Sequence, residues 1–461
     1  MNALNIAAVF DVGKTNKKLL LFNEQYRLVE EYSIQLPETI DEDGFPCEDV
    51  HALTNWLISS LEELSLDTRY RLRALNFTSY GASFVHLDKS GEPLGALRNY
   101  LKPYPEELRN RFYQKYGGEE EVSRITASPV LGNLNSGMQL YQLAQQSPEI
   151  FSKIAYSLHL PQYLAFVLSG RYATDITSVG CHTNLWDFTN NQYHHWVGIE
   201  GLSVKFAPLK KGNDLINDPA KTGQPPIGVG LHDSSAALIP YLRQFQKPFL
   251  LISTGTWCIS MNPFNDTPLT KDELTNDCLC YLTYTGDPVK SSRLFAGNEH
   301  EKQLKRLNDH FNQTNWDASG IHYRDSYLPK LIHNAQAVSA EVVDLKESFF
   351  AQRDLSSFEN YEEAYHQLIF DLVKQQLYSL KLVLNSGVKR IFVDGGFGKN
   401  AIYMHLLATS IPDIEVYASS VSQATAIGTA LAIHDSWNSN PPPSDIIQLK
   451  YYSAIQRSMQ F

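Results

Sequence analysis

Short apolar runs, each closed by a polar turn, open the chain. Residues 6–10, 18–22 and 27–33 read as strands, joined by Asp11-Val12-Gly13-Lys14-Thr15-Asn16-Lys17 and by Asn23-Glu24-Gln25-Tyr26. Neither connection has room for a crossover helix, so the pattern predicts an antiparallel meander rather than a Rossmann unit. Helical spacing of apolar residues follows over 50–64, and then strands over 74–78 and 83–87 flank Tyr80-Gly81. Residues 135–170 read as mainly helical, with Pro148 and Pro161 near helix starts.

Over 213–230 the pattern breaks into Gly, Pro, Asn and Asp, and a new helix is expected to follow His232-Asp233-Ser234-Ser235. That shift places a boundary between Leu231 and Ala237, giving domains 1–236 and 237–461. Directly after it, the apolar run ending in Ser253-Thr254-Gly255-Thr256-Trp257 and the following Cys258-Ile259-Ser260-Met261 repeat the opening strand–turn–strand design. Two related lobes are the simplest architecture for such a repeat. The second half continues with a long helix over 361–384, a strand over 389–396, a helix over 400–409, a strand over 414–419 and a small-residue helix over 423–434. The proline-rich 438–444 reads as an extended segment leading to a peripheral terminus.

Composition narrows the function classes. At 461 residues the chain holds two large domains or three small ones, by about 150 residues each. Thirty-nine basic against 50 acidic residues leave a net charge of −11, which argues against nucleic acid or an anionic membrane as partner. Cys47, Cys181, Cys258, Cys278 and Cys280 are odd in number and lack paired spacing, so free thiols in a reducing cytoplasm are expected. No run approaches the ~18 apolar residues of a membrane span, and residues 1–6 do not resemble a secretory leader. Cys278/Cys280, His194-His195 and Cys181-His182 form no four-ligand zinc set by spacing.

Four segments carry chemistry. Gly13, Thr15, Asn16 and Lys18 surround a turn whose N–H groups, side-chain donors and charge suit phosphate oxygens, and Asp11 at the strand end suits Mg²⁺ held through its waters. Gly255 and Thr256 offer a second donor-rich turn, and two such turns can grip one polyphosphate from both sides. Asp233 reads both as an N-cap and as a carboxylate kept ionised by the helix dipole, able to take a proton from a hydroxyl. Gly395 and Gly396, with Asn400 opening the next helix, would let a flat nucleoside lie against backbone. The small residues of 423–428 indicate close helix packing.

In this order, Asp-x-Gly-x-Thr-x-x-Lys, His-Asp, Thr-Gly-Thr, Gly-Gly-x-x-x-Asn and Ala-Thr-Ala-x-Gly resemble the FGGY family of carbohydrate kinases over about 7–433. The resemblance implies an α/β fold of two ribonuclease H-like, actin-type lobes with ATP and sugar in the cleft. It implies Asp233 as general base, Gly13, Thr15, Asn16, Lys18, Gly255, Thr256, Gly395, Gly396 and Asn400 around ATP, and Asp11 assisting Mg²⁺. Within the family the Ser-Thr-Gly-Thr-Trp segment and the Tyr80-Gly81 strand look most like L-rhamnulose kinases, which puts Gly81, His232, Ser234 and Asn298 around a small-molecule sugar. The chain departs from the family pattern at Ser83, Asn99 and Gln423, positions that bear on the sugar rather than on the phosphoryl chemistry. Kinases of L-fuculose, xylulose or another polyol, and a non-enzymatic actin-type ATP-binding regulator, are the competing readings.

Overall fold

The computed structural model describes residues 3–313, 320–336, 345 and 347–454. Its first sheet is built from β1 (Leu4–Val12), β2 (Lys17–Asn23), β3 (Leu28–Ile34), β4 (Tyr70–Ser79) and β5 (Leu231–His232), with the helix α1 (Val50–Leu66) between β3 and β4 in sequence. The order across the sheet is β5-β4-β1-β2-β3, with β1, β4 and β5 parallel and the β1–β2–β3 meander antiparallel. Ile6 to Phe10 are all buried, which is why this stretch reads as a continuous apolar run. Alternation then sorts its two faces. Ile6, Ala8 and Phe10 pack with Leu53 and Leu57 of α1, whereas Ala7 and Val9 belong to the cluster that includes Ile427 and Leu431. The outer strand β3 carries Glu30 and Glu31, charges that discourage pairing with another chain.

From β5 the chain enters α2 (Asp233–Gln244) and then the second sheet: β6 (Phe249–Thr254), β7 (Cys258–Asn262), β8 (Cys278–Leu282) and β9 (Pro288–Leu294). The helices α3 (Ala296–His310) and α4 (Tyr361–Lys381) precede β10 (Arg390–Gly395), α5 (Ala401–Ser410), β11 (Glu415–Ser420), α6 (Ala424–Ala432) and β12 (Gln448–Tyr452). The order is β8-β9-β7-β6-β10-β11-β12. Strands β9-β7-β6-β10-β11 thus repeat the antiparallel, antiparallel, parallel, parallel sequence of β3-β2-β1-β4-β5. Two copies of one core, as the repeated hairpin implied, underlie the two lobes, and residues 84–206 add a separate core to the first. β8 and β12 extend the second copy at its edges. The segment after 438–444 is therefore not simply peripheral, because Val416 to Ser420 pair with Tyr452 to Gln448.

The two lobes meet along crossed helices. α2 and α6 approach so closely that a Cβ on Gly428 would lie 1.8 Å from the Ala236 carbonyl oxygen, the packing that the small residues of 423–428 implied. Buried Asn76 ties the same junction, donating to Thr429 O (2.8 Å) and accepting from Gly230 N (3.2 Å). The break between the two sheets lies between His232 and Phe249, and the 236/237 division falls inside α2, which spans it. All five cysteines are buried and unbridged. Among the described residues no helix is long and apolar enough to cross a membrane.

Candidate active site

Three parallel strands, β1, β4 and β5, end side by side, and each delivers chemistry at its C-terminal end. Asp11 is in register with Thr78, and His232 with Ser79. Ligands favour this edge of an open α/β sheet. Asp233 is the first residue of α2, not its cap. His232 occupies the capping position, with Nδ1 accepting from Ser234 N (3.3 Å), because its backbone is extended while that of Asp233 is already helical. Asp233 keeps the favourable helix N-terminus while its side chain remains 38% exposed. One of its oxygens accepts from Ser234 N (2.6 Å) and from Ser234 Oγ (3.2 Å). The other has no partner of that kind among the described residues and is open to the cleft.

A cavity of about 240 Å³ opens in front of this carboxylate. The first lobe supplies Tyr80, Gly81, Tyr100, Leu134, Cys181, His182, His232, Asp233 and Ser234, and the second supplies Ile259, Leu279, Tyr281 and Arg293. Gly81 is required here, since a Cβ would stand 2.6 Å from His232 Nε2. The wall is fixed from behind. Thr177 Oγ1 accepts from His232 N (2.9 Å) and itself donates to buried Asp175, and Tyr80 Oη donates to Glu48 (2.6 Å). Arg293 is stacked over Trp257 (5.4 Å to the ring centre) and paired with Asp277, and its Nε is buried without a hydrogen-bond partner.

Burial raises the Asp11 carboxyl from 3.8 to about 6, the charge of Asp233 adds to this, and Lys18 opposes it. The Asp11 carboxyl thus senses the charge of Asp233, a repulsion that a bound cation would relieve. The neighbouring lysines are each paired with another carboxylate: Lys14 with Glu38 (2.8 Å), Lys18 with Glu31 (2.8 Å), and Lys17 in a buried pair with Glu48. The donor set of hard oxygens fits Mg²⁺.

The expected phosphate turns lie one in each lobe, and neither lines the cavity with Asp233. Gly13 N donates to Asn16 O (3.0 Å), which leaves Thr15 and Asn16 exposed at the tip between β1 and β2. Gly255 N donates to Trp257 O (2.9 Å), leaving Gly255 and Thr256 exposed between β6 and β7. Gly395, with φ +91°, abuts the second turn so tightly that a Cβ would lie 1.9 Å from Thr254 O, whereas Gly396 is open. Asn400 is committed to the fold, capping α5 through Tyr403 N (3.1 Å) and donating to Tyr365 Oη (2.9 Å). Asn298 departs from expectation. Its N–H donates to Thr256 O (3.2 Å), so it lies with the second turn and does not line the cavity with Asp233. Ser83 and Asn99 are buried and also absent from the wall, and Asn99 instead donates to Pro46 O (2.9 Å). Gln423 joins the lobes, donating to Glu31 (3.0 Å).

Tyr100, Tyr281 and Arg293 were not marked by any motif, and His182 was weighed only beside Cys181 as a zinc pair. For Arg293 the local signal was a charge within an otherwise uncharged stretch of strand after Lys290.

Comparison with known proteins decides the family. Residues 6–239 match the N-terminal domain of the FGGY family of carbohydrate kinases, and residues 246–441 match the C-terminal FGGY domain. The chain belongs to the FGGY family. A rhamnulokinase of Klebsiella pneumoniae (strain 342) is 27% identical over 248 residues, 51% of this chain and 49% of that protein. A rhamnulokinase of Yersinia pestis (strain Pestoides F) is 26% identical over 243 residues, 50% and 47% of the two chains. The matched stretch thus spans about half the length of these curated relatives. Among solved structures, a carbohydrate kinase from Novosphingobium aromaticivorans superposes with a TM-score of 0.77 at 23% identity, over 98% of this chain and 97% of that one. A xylulose kinase from Lactobacillus acidophilus gives 0.72 at 16%, over 98% and 94%. These structures share the two-lobed actin-type fold with this FGGY protein.

Proposed function

We propose that this FGGY protein transfers the γ-phosphoryl group of ATP to a primary hydroxyl of a ketose or deoxyketose resembling L-rhamnulose, giving a 1-phosphate. The observation that carries this reading is Asp233, an unspent carboxylate oxygen at a helix N-terminus, opening into a cavity walled by both lobes. Such a carboxylate accepts the hydroxyl proton as the oxygen attacks phosphorus in line. His232, Ser234 and the backbone at Gly81 orient the sugar, and Arg293 and Tyr281 close the wall from the second lobe. The Gly13–Asn16 and Gly255–Thr256 turns hold phosphate oxygens by N–H and hydroxyl donors, with Gly396 offering open backbone to the nucleoside. Asp11 and Asp233 would hold Mg²⁺, which when bound neutralises charge on the transferring phosphoryl group. Phosphoryl transfer rests on positioning and charge stabilisation, which suits a cavity without an activated nucleophile of its own. Lobe closure excludes water and limits wasteful ATP hydrolysis.

The rhamnulose assignment draws on the two rhamnulokinase relatives, while relatives in fold include xylulose and gluconate kinases. ADP release with ATP and Mg²⁺ should therefore be measured as kcat/KM over L-rhamnulose, L-fuculose, xylulose, gluconate and glycerol. The highest value is expected for L-rhamnulose. A higher value for another acceptor reassigns the sugar, and no acceptor-stimulated release with any of them favours a regulatory ATP-binding protein.

A further inference from the structure

Cys181 and His182 follow the short helix Ile176–Val179, and His232 precedes α2, so the three are brought together by the fold alone. The Cys181 Sγ and one ring nitrogen from each histidine lie within 4.8 Å of one another, on the wall of the cavity in front of Asp233. A tetrahedral zinc with bonds of ~2.0–2.3 Å holds its ligands a little over 3 Å apart, so the set must contract by about 1 Å on binding.

The surroundings of both rings suit coordination. His182 Nδ1 donates to Leu134 O (3.3 Å), which leaves Nε2 with its lone pair, the backbone-carbonyl orientation common among metal-bound histidines. That ring is held in place at a conformational cost, because His182 has φ +41° and its carbonyl is pinned by Asn135 Nδ2 (2.7 Å). His232 Nδ1 lies 3.4 Å from Asp233 Oδ1 and accepts from Ser234 N (3.3 Å); coordination through Nε2 puts the ring proton on Nδ1, so metal binding exchanges that helix cap for a bond to the carboxylate.

We propose that Cys181, His182 and His232 form a binding site for a soft divalent cation of the Zn²⁺ class, with a fourth coordination position facing the cavity. A thiol with two imidazoles selects Zn²⁺ or Co²⁺ over Mg²⁺, which prefers oxygen donors. Binding converts the Cys181 thiol to a metal-bound thiolate and releases its proton to solvent, so affinity rises with pH. The metal site stands on the cluster alone. Its consequence, that metal and sugar exclude one another, rests on the proposed reading of the cavity as the acceptor site.

The test uses the full chain without ATP or sugar, titrated with Co²⁺. One equivalent is expected to produce a sulfur-to-cobalt charge-transfer band in the near ultraviolet, displaced by Zn²⁺ and unaffected by excess Mg²⁺. Cys181→Ser should abolish the band, His182→Gln should weaken binding more than about 10-fold, and Cys278→Ser should leave both unchanged, with thermal melting run on each variant. A wild-type protein that gives no such band overturns the site whatever the variants do, and so does a band that persists in folded Cys181→Ser. Zn²⁺ is then expected to inhibit ADP release competitively with the sugar. Binding of Co²⁺ with inhibition that is not competitive leaves the metal site standing and counts against the cavity as the sugar site.

Discussion

Replacing Gly81 by Ala adds one methyl group to the cavity wall, directly against the imidazole beside Asp233. The new Cβ would stand 2.6 Å from His232 Nε2 and 2.9 Å from Cδ2, where ordinary contact begins at 3.4 Å, so the ring must retreat by 3.4 − 2.6 = 0.8 Å. It has little room to do so. His232 is 5% exposed, its N–H is bonded to Thr177 Oγ1 (2.9 Å), and its Nδ1 caps α2 through Ser234 N (3.3 Å). Swinging the ring therefore breaks the cap and shifts Asp233, the next residue. A displacement of about 1 Å at a reacting group costs on the order of 10²-fold in rate, while overpacking a methyl group costs about 1–3 kcal/mol of stability. Steady-state ADP release should show kcat/KM for sugar falling by about 10²-fold, with KM for ATP changed far less, and a modest drop in melting temperature. A variant with wild-type kcat/KM and melting temperature would refute the claim that the His232 ring and the Gly81 backbone jointly shape the acceptor site.

Glu48→Gln strands the buried Lys17 ammonium, whose side chain is 2% exposed, at a cost of about 3–5 kcal/mol. Because Lys17 also donates to Lys14 O (3.1 Å), differential scanning calorimetry should show the loss of stability and kinetics a raised KM for ATP. Asp11 binds its proton more tightly folded than unfolded, so its ionisation weakens the fold as pH rises from 3.8 towards about 6. Asp11→Asn should match wild-type stability near pH 4 and exceed it above pH 6 by at most about 3 kcal/mol before screening, a gap read from melting temperatures across that range. Arg293→Ala should raise KM for the sugar by about 10-fold or more while sparing KM for ATP, the loss of one charge-assisted hydrogen bond; unchanged sugar KM would remove the second lobe from substrate recognition.

The repeated hairpin was legible because both β1 and β6 are apolar strands buried in their lobes and closed by a Gly turn, a pattern that survives without tertiary information. Asp233, Gly81 and His232 were legible as members of an ordered motif series, and the structure gathers them on one cavity. Other parts depend on contacts that no local pattern carries. β12 lies beyond a proline-rich stretch, and its ladder to β11 is visible only when the two strands are side by side. Arg293 reaches the cavity because β9 pairs with β7, and Cys181, His182 and His232 converge only because β5 ends beside the loop after residue 180. Asn298 came only from the resemblance, and no local pattern shows that Gly297 packs against Gly255 and so sets Asn298 beside the second turn. Capping geometry excludes Asp233 as the N-cap, since its backbone is already helical and the ring nitrogen of His232 takes the capping position.

The central claim is that Asp233 takes the proton of the acceptor hydroxyl. It is tested most directly by Asp233→Asn, which keeps shape and hydrogen-bonding capacity while removing the base, assayed for sugar-dependent ADP release beside calorimetric binding of the same sugar. The account predicts that kcat falls by about 10² or more with sugar affinity nearly unchanged. A kcat close to that of the wild type, in a variant that still binds sugar, would contradict it.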